Sequence, residues 1–191
     1  MKIRIIDARK SDAPLIARSI MDAVGEEICK DLAGATRSLA DVENLFTMLA
    51  RREDSQYSYR NTLVAVDESD NAVGVIVSYD GALLDELRKP FFELVKTVIG
   101  KNLDDVEDET DAGEFYLDTL AVLPQYRGQG ISRLLIDGAV RRADEAGKPA
   151  GLLVDKDNVR ARRLYESVGF RQVGERPFCY VMMDHLQYTG R

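Results

Sequence analysis

Residues Leu120-Ala121-Val122-Leu123-Pro124-Gln125-Tyr126-Arg127-Gly128-Gln129-Gly130-Ile131 run from an apolar strand through a glycine-spaced turn into a helix. Successive backbone N–H groups in such a turn, backed by the positive end of the helix dipole, form a cradle for an anion. Glycine lets the chain pass close to it. The same spacing also suits a plain strand-to-helix turn. It is neither a Walker A loop nor a Rossmann fingerprint, since both GxxxxGK[ST] and GxGxxG are absent.

The flanking residues predict an α/β chain. Ile3, Ile5 and Ile6 open a strand, and Leu15, Ile16, Ile20, Ala23 and Val24 mark a helix from about Ser11 to Val24, with Pro14 in its first turn. Ser38 and Asp41 have capping-box spacing before the stripe Val42, Leu45, Phe46 and Leu49. The period then changes, and residues 62–66 and 72–77 read as a hairpin turning at Asp67 to Asn71. Leu84 to Val98 reads as an amphipathic helical segment, broken or kinked at Pro90 and ending at Gly100.

After the acidic residues 104–111, read as a loop, strand and helix alternate. A strand covers Glu114 to Val122, and a helix carries Ile131, Leu134, Leu135, Ala139 and Ala143. A short strand follows at residues 152–154. Asp157 or Asn158 caps a helix through Leu164 and Tyr165, and strands at residues 170–173 and 178–183 close the chain.

At 191 residues the chain has the length of one domain, and 45% hydrophobic with 31% charged residues argues against disorder. The net charge of −7 argues against nucleic-acid binding driven by phosphate neutralisation. No apolar run approaches the roughly 20 residues of a membrane span, and the early charges of Lys2 and Arg4 argue against a signal peptide; the expectation is a cytoplasmic protein. Cys29 and Cys179 form no CxxC pair, so no zinc site is expected. A single histidine, His185, and no GxSxG elbow argue against a serine triad.

Gln125-x-x-Gly128-x-Gly130 after a strand resembles the pyrophosphate-binding signature of the GCN5-related N-acetyltransferases (GNAT). Asn158-x-x-Ala161-x-x-Leu164-Tyr165-Glu166-x-x-Gly169-Phe170 is similar to their second signature. The motif-level resemblance covers about residues 114–170. It implies one domain over residues 1–191, a mixed and mostly antiparallel sheet flanked by helices, with a helical and acidic insertion at about 83–112. The implied activity is transfer of an acetyl group from acetyl-CoA to a primary amine, without metal. A catalytically silent acyl-CoA-binding module is the alternative.

Carried over by residue, the resemblance implies that the backbone of Leu120, Ala121 and Val122 pairs with the pantetheine arm. Arg127, Gly128, Gln129, Gly130, Ile131 and Ser132 would hold the pyrophosphate, with Gln125 opening the motif. Asn158 would contact the cofactor arm, or serve as a helix cap, or both. Tyr165 matches a tyrosine that protonates the departing thiolate; the alternative is an aromatic packing helix on sheet. A phenol suits the acid role, its ordinary pKa lying close above that of a thiol.

The amine must lose a proton to attack. Glu114, eleven residues before Gln125, has the spacing of the catalytic glutamate in the histone-acetylating branch, and strand alternation puts Asp118 on the same face unless a bulge intervenes. Either acts directly or through water, or both are solvated. His185 lies far from either motif in sequence. Residues 104–118 carry eight carboxylates and no Lys or Arg, whereas residues 127–163 carry nine basic against five acidic side chains. The basic half suits a phosphate-bearing donor and the acidic half a cationic acceptor, unless the acidic run is only solvated surface.

Overall fold

Seven strands form one sheet in the order β1-β2-β3-β4-β5-β7-β6 in the computed structural model, which describes residues 2–103, 106–178 and 181–190. The strands are β1 (Arg4–Asp7), β2 (Thr62–Val66), β3 (Ala72–Asp80), β4 (Phe115–Val122), β5 (Ala150–Val154), β6 (Phe170–Phe178) and β7 (Val181–Tyr188). All neighbours run antiparallel except β4 and β5. The α/β architecture with a mostly antiparallel sheet is the one expected.

Helices cover both faces because the inner strands are apolar on both. On one face α1 (Ala13–Val24), α2 (Glu26–Ala33) and α3 (Leu39–Ala50) bury Ile16, Ile20, Leu45 and Leu49 against Val64, Val75 and Val77. On the other, α6 (Ile131–Glu145) buries Ile131, Leu135 and Ile136 against Leu63, Ala65 and Ile76, and α7 (Val159–Val168) packs over β6. The Ser38 capping box is present: Ser38 Oγ accepts from Asp41 N at 3.3 Å, and Asp41 Oδ2 accepts from Ser38 N at 2.8 Å. Asp67 holds the β2–β3 turn, its Oδ1 accepting from Ser69 N and Asn71 N at 2.9 Å each.

Several boundaries differ from the sequence reading. The helix α2 is absent from that reading, its eight residues being too short and too charged to announce an apolar stripe. The segment from Leu84 divides into α4 (Leu84–Leu87), α5 (Lys89–Leu94) and a π turn at Val95–Ile99. Pro90 sits at the start of α5, where its missing N–H costs nothing. The last strand extends to Tyr188, five residues past the expected end, since Asp184, His185 and Gln187 read as polar but have partners within the fold. Among the described residues, no helix is long and apolar enough to cross a membrane.

Two irregularities set the surroundings of β4. The parallel β4–β5 ladder consists of Phe115↔Ala150 and Tyr116↔Gly151, and from there the strands part. In the β3–β4 ladder, Val77 faces Thr119 while Ser78 faces Leu117, so Asp118 is the extra residue of a bulge.

Candidate active site

The parting of β4 from β5 opens a cleft of about 590 Å³ between the free edge of β4, the start of α6 and the first turns of α7. Leu120, Ala121 and Val122 line one wall, Arg127, Gly128, Gly130, Ile131 and Ser132 the end, and Asn158, Ala161, Leu164 and Tyr165 the other wall. The sequence-predicted residues Gln125 and Gln129 stand beside it. Gln125 lies in the exposed turn Pro124–Tyr126, and Gln129 Nε2 donates to its carbonyl at 3.4 Å.

The closed end of the cleft is a backbone site. Among the described residues, the N–H groups of Gly128, Gln129, Gly130, Ile131 and Ser132 have no acceptor. These unpaired donors sit at the positive end of the α6 dipole. Gly128 and Gly130 have φ of +77° and +79°, the left-handed backbone that favours glycine. A Cβ built on either would meet nothing within 4 Å. The space outside the glycines is therefore open for an anion. Arg127 Nε donates to the carbonyl of Val122 at 2.9 Å and ties the turn back to β4. Arg127, Arg133 and Arg160 in the lining add positive charge, opposed by Asp22 at the end of α1.

The two α7 residues are held differently. Asn158 caps the helix, its Oδ1 accepting from Ala161 N at 3.1 Å, and also lines the cleft. Tyr165 is half-buried and stacks edge-to-face on Phe170, ring centres 5.8 Å apart. Burial pushes its phenol up to about 12, so the hydroxyl keeps its proton at neutral pH. Arg162 holds α7 on the sheet, pairing with buried Asp184 and donating to Gln172 Oε1 at 3.0 Å.

Glu114, expected as a base acting directly or through water, is not among the residues that line this cleft. Its carboxylate is 1% exposed, accepts from Thr110 Oγ1 at 2.8 Å and Gln187 Nε2 at 2.9 Å, and lies 2.7 Å from His185 Nε2. Burial pushes its pKa up, but the hydrogen bonds from His185, Gln187 and Thr110 together hold it below the ordinary value. A Cβ on Gly151 would meet Glu114 Oε2 at 1.8 Å, so the absence of a side chain there makes room for the carboxylate.

Asp118 belongs to a second group of residues. Its Oδ2 lies 3.1 Å from the hydroxyl of Tyr79 and 3.5 Å from Gln56 Nε2, and the same two donors reach Glu109 Oε1 at 3.0 and 3.1 Å. Burial, then the charge of Asp118, pushes Glu109 up to about 7. Burial likewise raises Asp118, against its hydrogen bonds from Thr119, Tyr79 and Gln56.

The acidic run is not a free negative surface. Asp108 pairs with Arg88 at 2.5 Å, Asp111 pairs with Arg176 at 2.8 Å, and Glu109 is turned inside; Asp104 and Asp105 lie outside the described residues. Sequence reasoning missed Glu109, Tyr79, Gln56 and His185. Nothing local marked Glu109 off from its acidic neighbours, whereas His185 and Gln187, two apart on a strand, share a face by simple alternation.

The family model described as "Acetyltransferase (GNAT) family" matches residues 26–170. A solved structure described as an acetyltransferase is 29% identical, covers 98% of this chain and 100% of its own, and superposes with a TM-score of 0.80. An N-acetyltransferase from Staphylococcus aureus Mu50, 22% identical over 96% of this chain and 99% of its own, shares the fold with a TM-score of 0.75. Among curated proteins, a mycothiol acetyltransferase of Nocardiopsis dassonvillei is 42% identical over 64 residues, which is 33% of this chain and 19% of that protein. An uncharacterized protein of Mycobacterium leprae, 44% identical over 68 residues, is matched over 18% of its length, so the chain spans less than a fifth of either curated relative. With the family model covering most of the sequence, and the fold agreeing with it, the chain belongs to the GNAT acetyltransferase family.

Proposed function

We propose that this protein is an acetyl-CoA-dependent N-acetyltransferase that transfers the acetyl group to a primary amine by direct attack, with residues 1–191 forming one catalytic domain. The observation that carries this reading is the row of five acceptor-free N–H groups, Gly128 to Ser132, at the end of a cleft whose side wall is the unpaired edge of β4. A pyrophosphate fits such a donor row, and an extended amide-bearing arm fits a free strand edge. When bound, acetyl-CoA supplies a thioester carbonyl open to attack.

The residues of the chain then divide the work. Gly128 to Ser132 bind the phosphates, with Arg127 bracing the turn; Leu120, Ala121 and Val122 orient the arm, and Asn158 flanks it. A backbone N–H on the β4 edge is a donor for the thioester oxygen as charge develops on it. Tyr165, protonated at neutral pH, gives its proton to the leaving sulfur.

The test is release of CoA thiol from acetyl-CoA against a panel of amines and peptides, with product masses checked for one added acetyl group. Turnover with any acceptor is the expected result. Tight CoA binding with no turnover across the panel would return the chain to the binding-module reading.

A further inference from the structure

A second cavity, of about 600 Å³, lies on the α1–α3 side of the sheet. Its walls are mostly apolar and rich in rings, with Phe46, Tyr57, Phe91, Phe92 and Phe178 among them. The insertion builds one side and α2 the other, pinned together by the Lys101–Asp31 pair at 2.7 Å. The end of α1 borders both spaces: Asp22 and Ala23 line the cleft, Val24 the cavity. The strand β4 borders both as well: Asp118 stands two residues before the cleft-lining Leu120 and is linked through Tyr79 and Gln56 to Glu109 in the cavity wall.

We propose that this cavity receives the acceptor, a primary amine on an apolar, ring-bearing body, and that Glu109, positioned by Asp118 through Tyr79 and Gln56, takes the proton the nitrogen must lose. The inference rests on the acetyltransferase reading and adds the acceptor class and the base to it. Rings bury well against rings, and Glu109, among the described residues the one carboxylate buried in the wall, is the natural partner of the single ammonium.

The hydrogen-bond arithmetic of the carboxylate pair supports the role. Tyr79 has one hydroxyl proton but lies within 3.1 Å of both carboxylates, so a second proton, carried by one of the two and donated to the Tyr79 oxygen, completes the network. The charged and titratable groups around it are Asp118 and Tyr116 on β4, Tyr79 on β3, Tyr57 after α3 and Arg88 after α4. With Glu109 raised to about 7, the pair is ready to accept a proton above that pH. The nitrogen gives its electron pair to the new C–N bond, and the C–S pair leaves with sulfur. Nitrogen loses two protons in all, one to Glu109 before attack and the other to solvent as the amide forms, while sulfur gains one from Tyr165, which solvent reprotonates; one proton is released in net.

The experiment compares 2-phenylethylamine with ethanolamine and spermidine as acceptors, and measures 2-phenylethylamine binding to the cofactor-free protein by calorimetry. Discrimination of about tenfold or more in kcat/KM for the ring-bearing amine is expected, since apolar pockets discriminate on that scale. Ile28, which lines the cavity and is 45% exposed, tolerates enlargement. Ile28→Trp should weaken phenylethylamine binding in the cofactor-free protein and raise its KM about fivefold or more, on the same scale, without changing CoA affinity. Glu109→Gln should lower kcat/KM by about 10²- to 10⁴-fold and remove the fall in rate below pH 7. Preference for spermidine or ethanolamine, unchanged phenylethylamine binding in Ile28→Trp, or an acidic limb that survives Glu109→Gln would each overturn the proposal. Failure of the protein to bind CoA would instead overturn the acetyltransferase reading, while phenylethylamine binding still reports on the cavity.

Discussion

Glu114 Oε2 lies 2.7 Å from His185 Nε2, so the residue preceding β4 is locked to the middle of β7 across the intervening β5. The contact spans 71 residues of sequence and is almost sealed from solvent, with Glu114 1% exposed. It joins two residues that the sequence motifs leave unrelated, and it ties the start of β4 to β7.

Loss of that contact should therefore show first in stability. Glu114→Gln is expected to cost about 1–3 kcal/mol in chemical denaturation, the scale of a buried hydrogen bond to a charged group. Gly151→Ala should lose a similar amount, because its methyl group would occupy the carboxylate's position. The sign with pH follows from the lowered pKa of Glu114: the folded state binds its proton less readily than the unfolded chain. The stabilisation is present above the ordinary value of 4.5 and is lost as pH falls through the folded value. The difference in urea midpoint between wild type and Glu114→Gln should thus shrink from pH 6 to pH 3; a constant difference would place the stabilisation elsewhere.

Gly130→Asp should abolish measurable acetyl-CoA binding while the circular dichroism spectrum remains that of the folded protein. The backbone at φ +79° strains a side chain by about 1–2 kcal/mol, least for Asp and Asn, and the open space at its Cβ lets the fold survive. A carboxylate there puts negative charge where the phosphates would bind. Calorimetry decides: unchanged affinity in the folded variant would remove the phosphate site from this turn.

Tyr165→Phe should leave acetyl-CoA affinity near wild type and lower kcat by about 10²- to 10⁴-fold. Because burial pushes the phenol up to about 12, wild-type kcat should show no decline from loss of this proton up to pH 10. Equal kcat in the two proteins, with chemistry rate-limiting, would leave Tyr165 as packing against Phe170.

Asp111→Asn should change KM for acetyl-CoA and for the acceptor little, because Asp111 already accepts from Gly113 N and pairs with Arg176. The pair is largely exposed on the Asp111 side, so its removal should cost no more than about 1 kcal/mol. A rise in acceptor KM that salt diminishes would restore the acidic loop as a selector of cationic substrates.

Local pattern was enough for the strand-turn-helix unit at Leu120 to Ile131, the Ser38 cap, the Asp67 turn and the α7 motif, since each is made by neighbours in sequence. Their spacing also determined the family and the residues that line the cleft, because strand edge, glycines and helix start are consecutive along the chain. Only the tertiary structure decided the fate of the carboxylates. Glu109 and Asp108 are adjacent and alike in sequence, yet one is buried beside Tyr79 and Asp118 while the other stays largely exposed and pairs with Arg88. What distinguishes them is which distant side chains the sheet order and the β4 bulge carry to each. A carboxylate's burial, partners and proton affinity come from those neighbours in space, and no periodicity along the chain encodes them.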